Sequence, residues 1–164
     1  MSDGAYTTVI VLIFVFMAIV FVGLIAFIIW KKKDLDSKID GLAKGTEELT
    51  PEEFFKLRNY SFGGRGSPSY VKKKNFAGVY IIYNKTKNMY YVGQAQKILD
   101  RVNNHFVGRG NGDVYADYKY GDKFTIKMIS LQNSGFSSLN ELERCVITKY
   151  NAFSKGYNKT RGNR

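Results

Sequence analysis

"GVYIIYNKTKNMYYVG", residues Gly78 to Gly93, carries two mirrored tripeptides, Gly-Val-Tyr and Tyr-Val-Gly, on either side of a polar segment. Residues 77–84 and 89–93 are rich in Val, Ile and Tyr, and Asn84-Lys85-Thr86-Lys87-Asn88 separates them, which predicts a β-hairpin. If the loop adds no bulge, antiparallel pairing sets Tyr80 directly opposite Tyr91 on one face. Period-2 alternation puts Gly78 and Gly93 on that same face, leaving bare backbone beside two phenols, where a phosphate could approach. Taken alone, two tyrosines across a hairpin are more simply explained by packing.

Downstream, residues 98–107 fit a helix that "GRGNGD" (108–113) stops, and residues 124–131, "FTIKMISL", fit a third strand. Ser138-Leu139-Asn140-Glu141 is a capping box that opens a helix to about Phe153. This mixture predicts a small α+β domain over residues 76–164, built on a three-stranded, mostly antiparallel sheet flanked by helices. Arg101 and His105 stand at i and i+4, at the edge of an apolar stripe of Leu99, Val102 and Phe106, with their head groups in water. A plain surface pair is the competing explanation. In the last helix Leu139, Leu142, Val146, Ile147 and Tyr150 mark the buried side, and Glu143 falls inside that stripe. A carboxylate there needs an ion-pair partner, such as Arg101 or a lysine, or a bound cation. Glu141 is accounted for by capping. Asn158, in "GYNKT" (156–160), either caps a turn or fixes a catalytic side chain or a phosphate oxygen.

Upstream, residues 6–30 contain no charge and end at Trp30-Lys31-Lys32-Lys33. A helix of that length exceeds the roughly 30 Å hydrocarbon core. The absence of a basic n-region and the length of the run disfavour a cleaved signal peptide. The lysine triplet predicts a single-pass anchor in the inner (cytoplasmic) membrane, with residues 1–5 as a short outer tail and the body in the cytoplasm. Lys31 to Lys33 can also meet anionic lipid. Residues 31–75 read as a basic, flexible linker. Leu35, Ile39 and Leu42 recur at helical spacing against Gly41 and Gly45, and Thr50-Pro51-Glu52-Glu53 opens a short helix near 51–58. Residues 61–70, "SFGGRGSPSY", read as loop. Fully disordered, such a linker would reach roughly 40 Å.

All 25 Lys and Arg residues lie beyond Trp30, together with 13 of the 14 acidic ones, a balance that favours a polyanionic partner. Residues 76–164 hold 14 basic and 6 acidic residues, of which Lys85, Lys87, Arg109, Lys119, Lys123 and Lys127 are candidate nucleic-acid backbone contacts. The single Cys145 excludes an intramolecular disulfide, and the single His105 excludes a Cys/His zinc cluster.

The C-terminal half resembles the GIY-YIG nucleases. Gly78-Val79-Tyr80 and Tyr91-Val92-Gly93 look like the two signatures, with ten residues between them. Arg101 lies ten beyond Tyr91 and His105 four further on, as in the family pattern, and Glu143 and Asn158 match its late glutamate and asparagine. The resemblance implies DNA phosphodiester hydrolysis with one divalent cation per site, Mg²⁺ or Mn²⁺, held by Glu143. It makes Tyr80, Tyr91, Arg101, His105, Glu143 and Asn158 the candidate catalytic set. Arg101 would neutralise charge on the phosphate. Tyr91 would position the scissile phosphate, and Tyr80, its pKa lowered by a cation and Arg101, would take the water's proton. His105 would accept that proton onward, with the base role shared between the two in an unresolved proportion. Family members that choose a site usually carry a further DNA-binding domain, whereas this chain has an apolar helix. The expectation is a membrane-anchored endonuclease of low sequence specificity that meets foreign DNA at the cytoplasmic face. An inactive membrane-tethered DNA-binding protein and a lipid-binding basic protein are the alternatives. The sequence sets no oligomeric state.

Overall fold

A computed structural model of the chain describes residues 3–63 and 68–163, in two compact units, Met1–Lys38 and Ile39–Arg164. Residues 1–2 of the expected tail and 64–67 of the expected 61–70 loop lie outside the described residues. Helix α1 (Asp3–Lys44) forms the described part of the first unit and runs on into the second. The large side chains of its apolar segment, from Val9 to Trp30, are exposed. By length and composition the stretch Thr8–Lys44 can cross a membrane. Gly41 does not interrupt it. An interior glycine costs only about 1 kcal/mol, less than the burial of Ile39 and Ala43 on either side of it contributes.

The second unit holds β1 (Gly78–Asn84), β2 (Met89–Ala95) and β3 (Phe124–Ser130) in the order β2-β1-β3, every pair antiparallel. Helices α2 (Pro51–Asn59), α3 (Tyr70–Lys74), α4 (Ile98–Phe106), α5 (Gly112–Lys119) and α6 (Leu139–Lys149) surround it. Tyr80, Ile82, Phe124 and Ile126 point to one face and pack with Phe54 of α2, Leu99, Val102 and Phe106 of α4 and Val114 of α5. Val79, Ile81 and Ile129 point to the other face by alternation. Helix α6 packs against β1 and β2, burying Leu142, Val146 and Ile147. Covered on both faces, β1 is apolar almost throughout.

The hairpin register differs from the expected one. Tyr80 pairs with Gly93, and Tyr91 with Ile82, two residues away from a direct Tyr80–Tyr91 pair. The turn explains the shift. Asn84 Oδ1 accepts the backbone N–H groups of Thr86 (2.9 Å) and Lys87 (3.1 Å), and Asn88 takes a left-handed φ of 54°, so the loop has four residues, 85–88. A shift of two keeps parity, so both tyrosines still share a face. The glycines do not offer open backbone. A Cβ on Gly93 would strike the Tyr80 ring and hydroxyl, and one on Gly78 would strike the Ile129 carbonyl on β3.

The expected linker is also corrected from Ile39 onward. Ile39, Ala43, Leu49, Pro51 and Phe54 are buried, and Leu49 exchanges both backbone hydrogen bonds with Ile126 at 2.8 and 3.0 Å. A few well-spaced apolar residues in a polar run suffice to dock the segment. The Thr50–Glu53 capping box forms as expected. At Ser138 only half the box forms: Glu141 N–H donates to Ser138 Oγ, while the Glu141 carboxylate takes the N–H and Oγ–H of Ser137. Helix α6 stops at Lys149, before Asn151 at φ 52°. Helix α5, inside the predicted stop, starts because Asn111 caps it, its Oδ1 accepting from Asp113 and Val114 N–H.

Candidate active site

The edge strand β2 carries the site. Tyr91 and Gly93 lie on one face of the sheet and Val92 and Gln94 on the other. A cavity of about 350 Å³ wraps that edge, lined among others by Tyr80, Tyr91, Gln94, Arg101, Glu143 and Lys159. A larger cleft of about 650 Å³ beside Lys85, Lys119 and Lys123 gathers none of the candidate catalytic residues. The smaller cavity is therefore the candidate site.

Tyr80 is 1% exposed, and its ring centroid lies 6.1 Å from that of Tyr91. Arg101 lines the same cavity as both phenols, and its charge acts on Tyr80. Burial pushes the Tyr80 phenol well above its ordinary pKa and Tyr91 adds to this, with Arg101 opposing. The expected lowering is not a property of the protein alone.

His105 is fully buried rather than at a wet stripe edge, because the Gly108–Asn111 loop closes over it. It stands behind Tyr80, not in the cavity wall. Its Nε2 lies 2.9 Å from Tyr80 Oη, and its Nδ1 accepts the Asn111 backbone N–H at 2.8 Å. Loss of water and the charge of Arg101 hold its pKa down at about 4, so the ring is neutral at physiological pH.

Glu143 is buried, as its position in the stripe predicts, and faces the cavity. Its Oε2 accepts from Gln94 Nε2 and Asn163 N–H, both at 3.1 Å. These donors are neutral, and among the described residues no lysine or arginine pairs with it. No described group of three or more His, Cys, Asp or Glu could ligate a metal. A single carboxylate left without a counter-charge fits a hard cation that keeps most of its waters.

Asn158 lines the cavity, but its amide is engaged by the backbone of β2 and by no candidate catalytic side chain. Its Oδ1 accepts Val92 N–H (2.9 Å) and its Nδ2 donates to Val92 O (2.7 Å). It is thus a positioning residue that fixes β2 between Tyr91 and Gly93.

The six cations predicted to contact nucleic acid do not line the cavity. Lys87 is paired with Asp117 (2.5 Å) and Asp122 (3.8 Å), and Lys85 and Lys127 with Glu48 (3.5 and 3.4 Å). Lys119 and Lys123 line the larger cleft, and Arg109 is exposed on the loop over His105. Lys159, missed in the sequence, does line the site. Gln94 and Asn111 were missed too. Gln94 was identifiable by strand parity as the residue opposite Val79, whereas nothing local marks Asn111 as the partner of a histidine.

Comparison with known proteins places these residues in context. The model of the GIY-YIG catalytic domain matches residues 76–158. Among solved structures, the catalytic domain of intron endonuclease I-TevI, in a mutant form, is similar at 24% identity and a TM-score of 0.41, covering 53% of this chain and 96% of that one. No curated protein matches. The family model spans half the chain and takes in both mirrored tripeptides, Arg101, His105, Glu143 and Asn158, and on that ground the chain belongs to the GIY-YIG family.

Proposed function

We propose that the protein is a membrane-anchored, metal-dependent endonuclease that hydrolyses DNA phosphodiester bonds with low sequence specificity at the cytoplasmic face. The observation that carries this reading is the convergence of Tyr80, Tyr91, Arg101 and the Glu143 carboxylate on one cavity, in a chain of the GIY-YIG family. The apolar segment of α1, which Lys31-Lys32-Lys33 follows, supports the anchor and its orientation.

Glu143 would hold one Mg²⁺ or Mn²⁺, which when bound polarises the phosphate and steadies the leaving 3′ oxygen. Arg101 binds the non-bridging oxygens through its planar fork and neutralises charge as the phosphorus gains a fifth bond. Tyr91, partly exposed beside Arg101, positions the phosphate. The Tyr80 phenolate takes a proton from the attacking water, whose oxygen bonds to phosphorus. The P–O3′ bond breaks with its electron pair on the leaving oxygen, which solvent protonates. Burial of Tyr80 works against ionisation, so this base depends on nearby positive charge.

Plasmid cleavage by the full chain in detergent micelles tests the reading. Wild type should cut in Mg²⁺ and stop in EDTA, and Glu143→Ala and Arg101→Ala should each lose on the order of 100-fold or more. Undiminished cutting by Glu143→Ala would remove the metal assignment. Removal of residues 1–38 should free the protein from the membrane fraction while cleavage persists.

A further inference from the structure

His105 has one nitrogen toward Tyr80 and the other toward a backbone amide. A peptide N–H can only donate, so the Nδ1 that receives the Asn111 N–H at 2.8 Å must present a lone pair. A neutral imidazole carries one proton, which leaves it on Nε2. At 2.9 Å from Tyr80 Oη, that Nε2–H donates to the phenol oxygen. We propose that the 110–111 backbone locks His105 as a hydrogen-bond donor to Tyr80, making it a positioning residue for the base and not the acceptor of the base's proton.

The surroundings are built for this lock. Gly110 passes so close that a Cβ there would run into Nδ1. Asn111 uses its side chain to cap α5, which fixes the direction of its own N–H. The ring is fully buried and meets the Tyr91 ring in an edge-type contact with centroids 4.8 Å apart. The groups facing the pair are Arg101 from its own helix and Tyr91 from β2.

A proton route follows, resting on the nuclease reading above. Tyr80 cannot give its proton to Nε2, which already bears one. The phenol proton therefore leaves into the open cavity, to a solvent water. The resulting phenolate keeps the Nε2–H as its donor, with the positive charge of Arg101 nearby, and takes a proton from the attacking water. The imidazole ends with the one proton it began with.

His105 is the only histidine in the chain, so ¹⁵N-histidine NMR of the full protein in micelles reads one ring. The expected spectrum shows an unprotonated Nδ1 and a protonated Nε2 at neutral pH. A proton on Nδ1 would overturn the proposal whether or not the protein cleaves DNA. Activity supplies the second arm. His105→Gln can place an amide N–H where Nε2 stood but cannot relay a proton, and it should remain within about tenfold of wild-type kcat, with the acid limb of the pH profile unmoved. His105→Leu, lacking a donor, should fall on the order of 100-fold. Equal loss in both variants, with Gln folded by its melting curve, would show that the imidazole works as a base.

Discussion

The mirrored tripeptides answer to packing and chemistry at once. Tyr80 lies flat over Gly93, so the second signature's glycine is the floor under the first signature's tyrosine. At Glu143 the two demands oppose each other. Glu143→Gln keeps an oxygen that can accept from Gln94 and Asn163 but removes a buried charge that has no described counter-charge. It should abolish metal-dependent cutting while raising stability in EDTA by about 1 kcal/mol, read as a higher melting temperature. His105 sets an acid limit on folding. Its pKa of about 4 in the folded protein, against an ordinary 6.5, means that the unfolded chain binds more protons between those values. Stability is therefore full above pH 6.5 and falls by up to about 3 kcal/mol as pH drops toward 4. Melting curves of wild type and His105→Gln across that window should differ in slope by this amount. Of the residues singled out in the sequence, Tyr80, Tyr91, Arg101, Glu143 and Asn158 do line one cavity. What each one touches was not readable there, because burial of His105 and the Asn111 contact depend on a loop whose glycines signal only that the helix ends.

Among the elements, the strands and the helices α2, α4 and α6 follow from local patterns: β-branched runs, capping boxes and an apolar stripe. The departures from expectation share one cause. The hairpin register was set by the Asn84 side chain, α5 by the Asn111 cap, and the docking of residues 39–59 by Leu49 and Phe54, all single residues whose effect no periodic pattern announces. The loop that carries Asn158 shows how such a residue works. Its amide replaces a missing neighbour strand at Val92, so Asn158→Asp, which cannot donate to Val92 O, should cost about 1–3 kcal/mol. It should lower kcat as Tyr91 loses its register, and Asn158→Gln should not rescue, because its amide sits one methylene too far out. Denaturant melts paired with single-turnover rates test both parts.

For the whole molecule, net positive charge promised a polyanion partner but did not say where it lies. Lys85, Lys87 and Lys127 are tied to carboxylates, while Lys159 stands at the cavity with 81% of its side chain exposed, bridged to an exposed Asp113. Lys159→Ala should weaken DNA binding and reduce the slope of log K against log salt by about 1, whereas Lys87→Ala should leave that slope alone and lower stability. Fluorescence anisotropy over a salt series separates the two. The site's position on β2 has one more effect. An outer strand with unmet amides invites a second chain to zip onto it, a route to fibrils and inclusion bodies. Here Tyr157 N–H caps Tyr90 O, and Asn158 takes both polar groups of Val92, so the middle of this rim leaves another copy fewer rungs to climb.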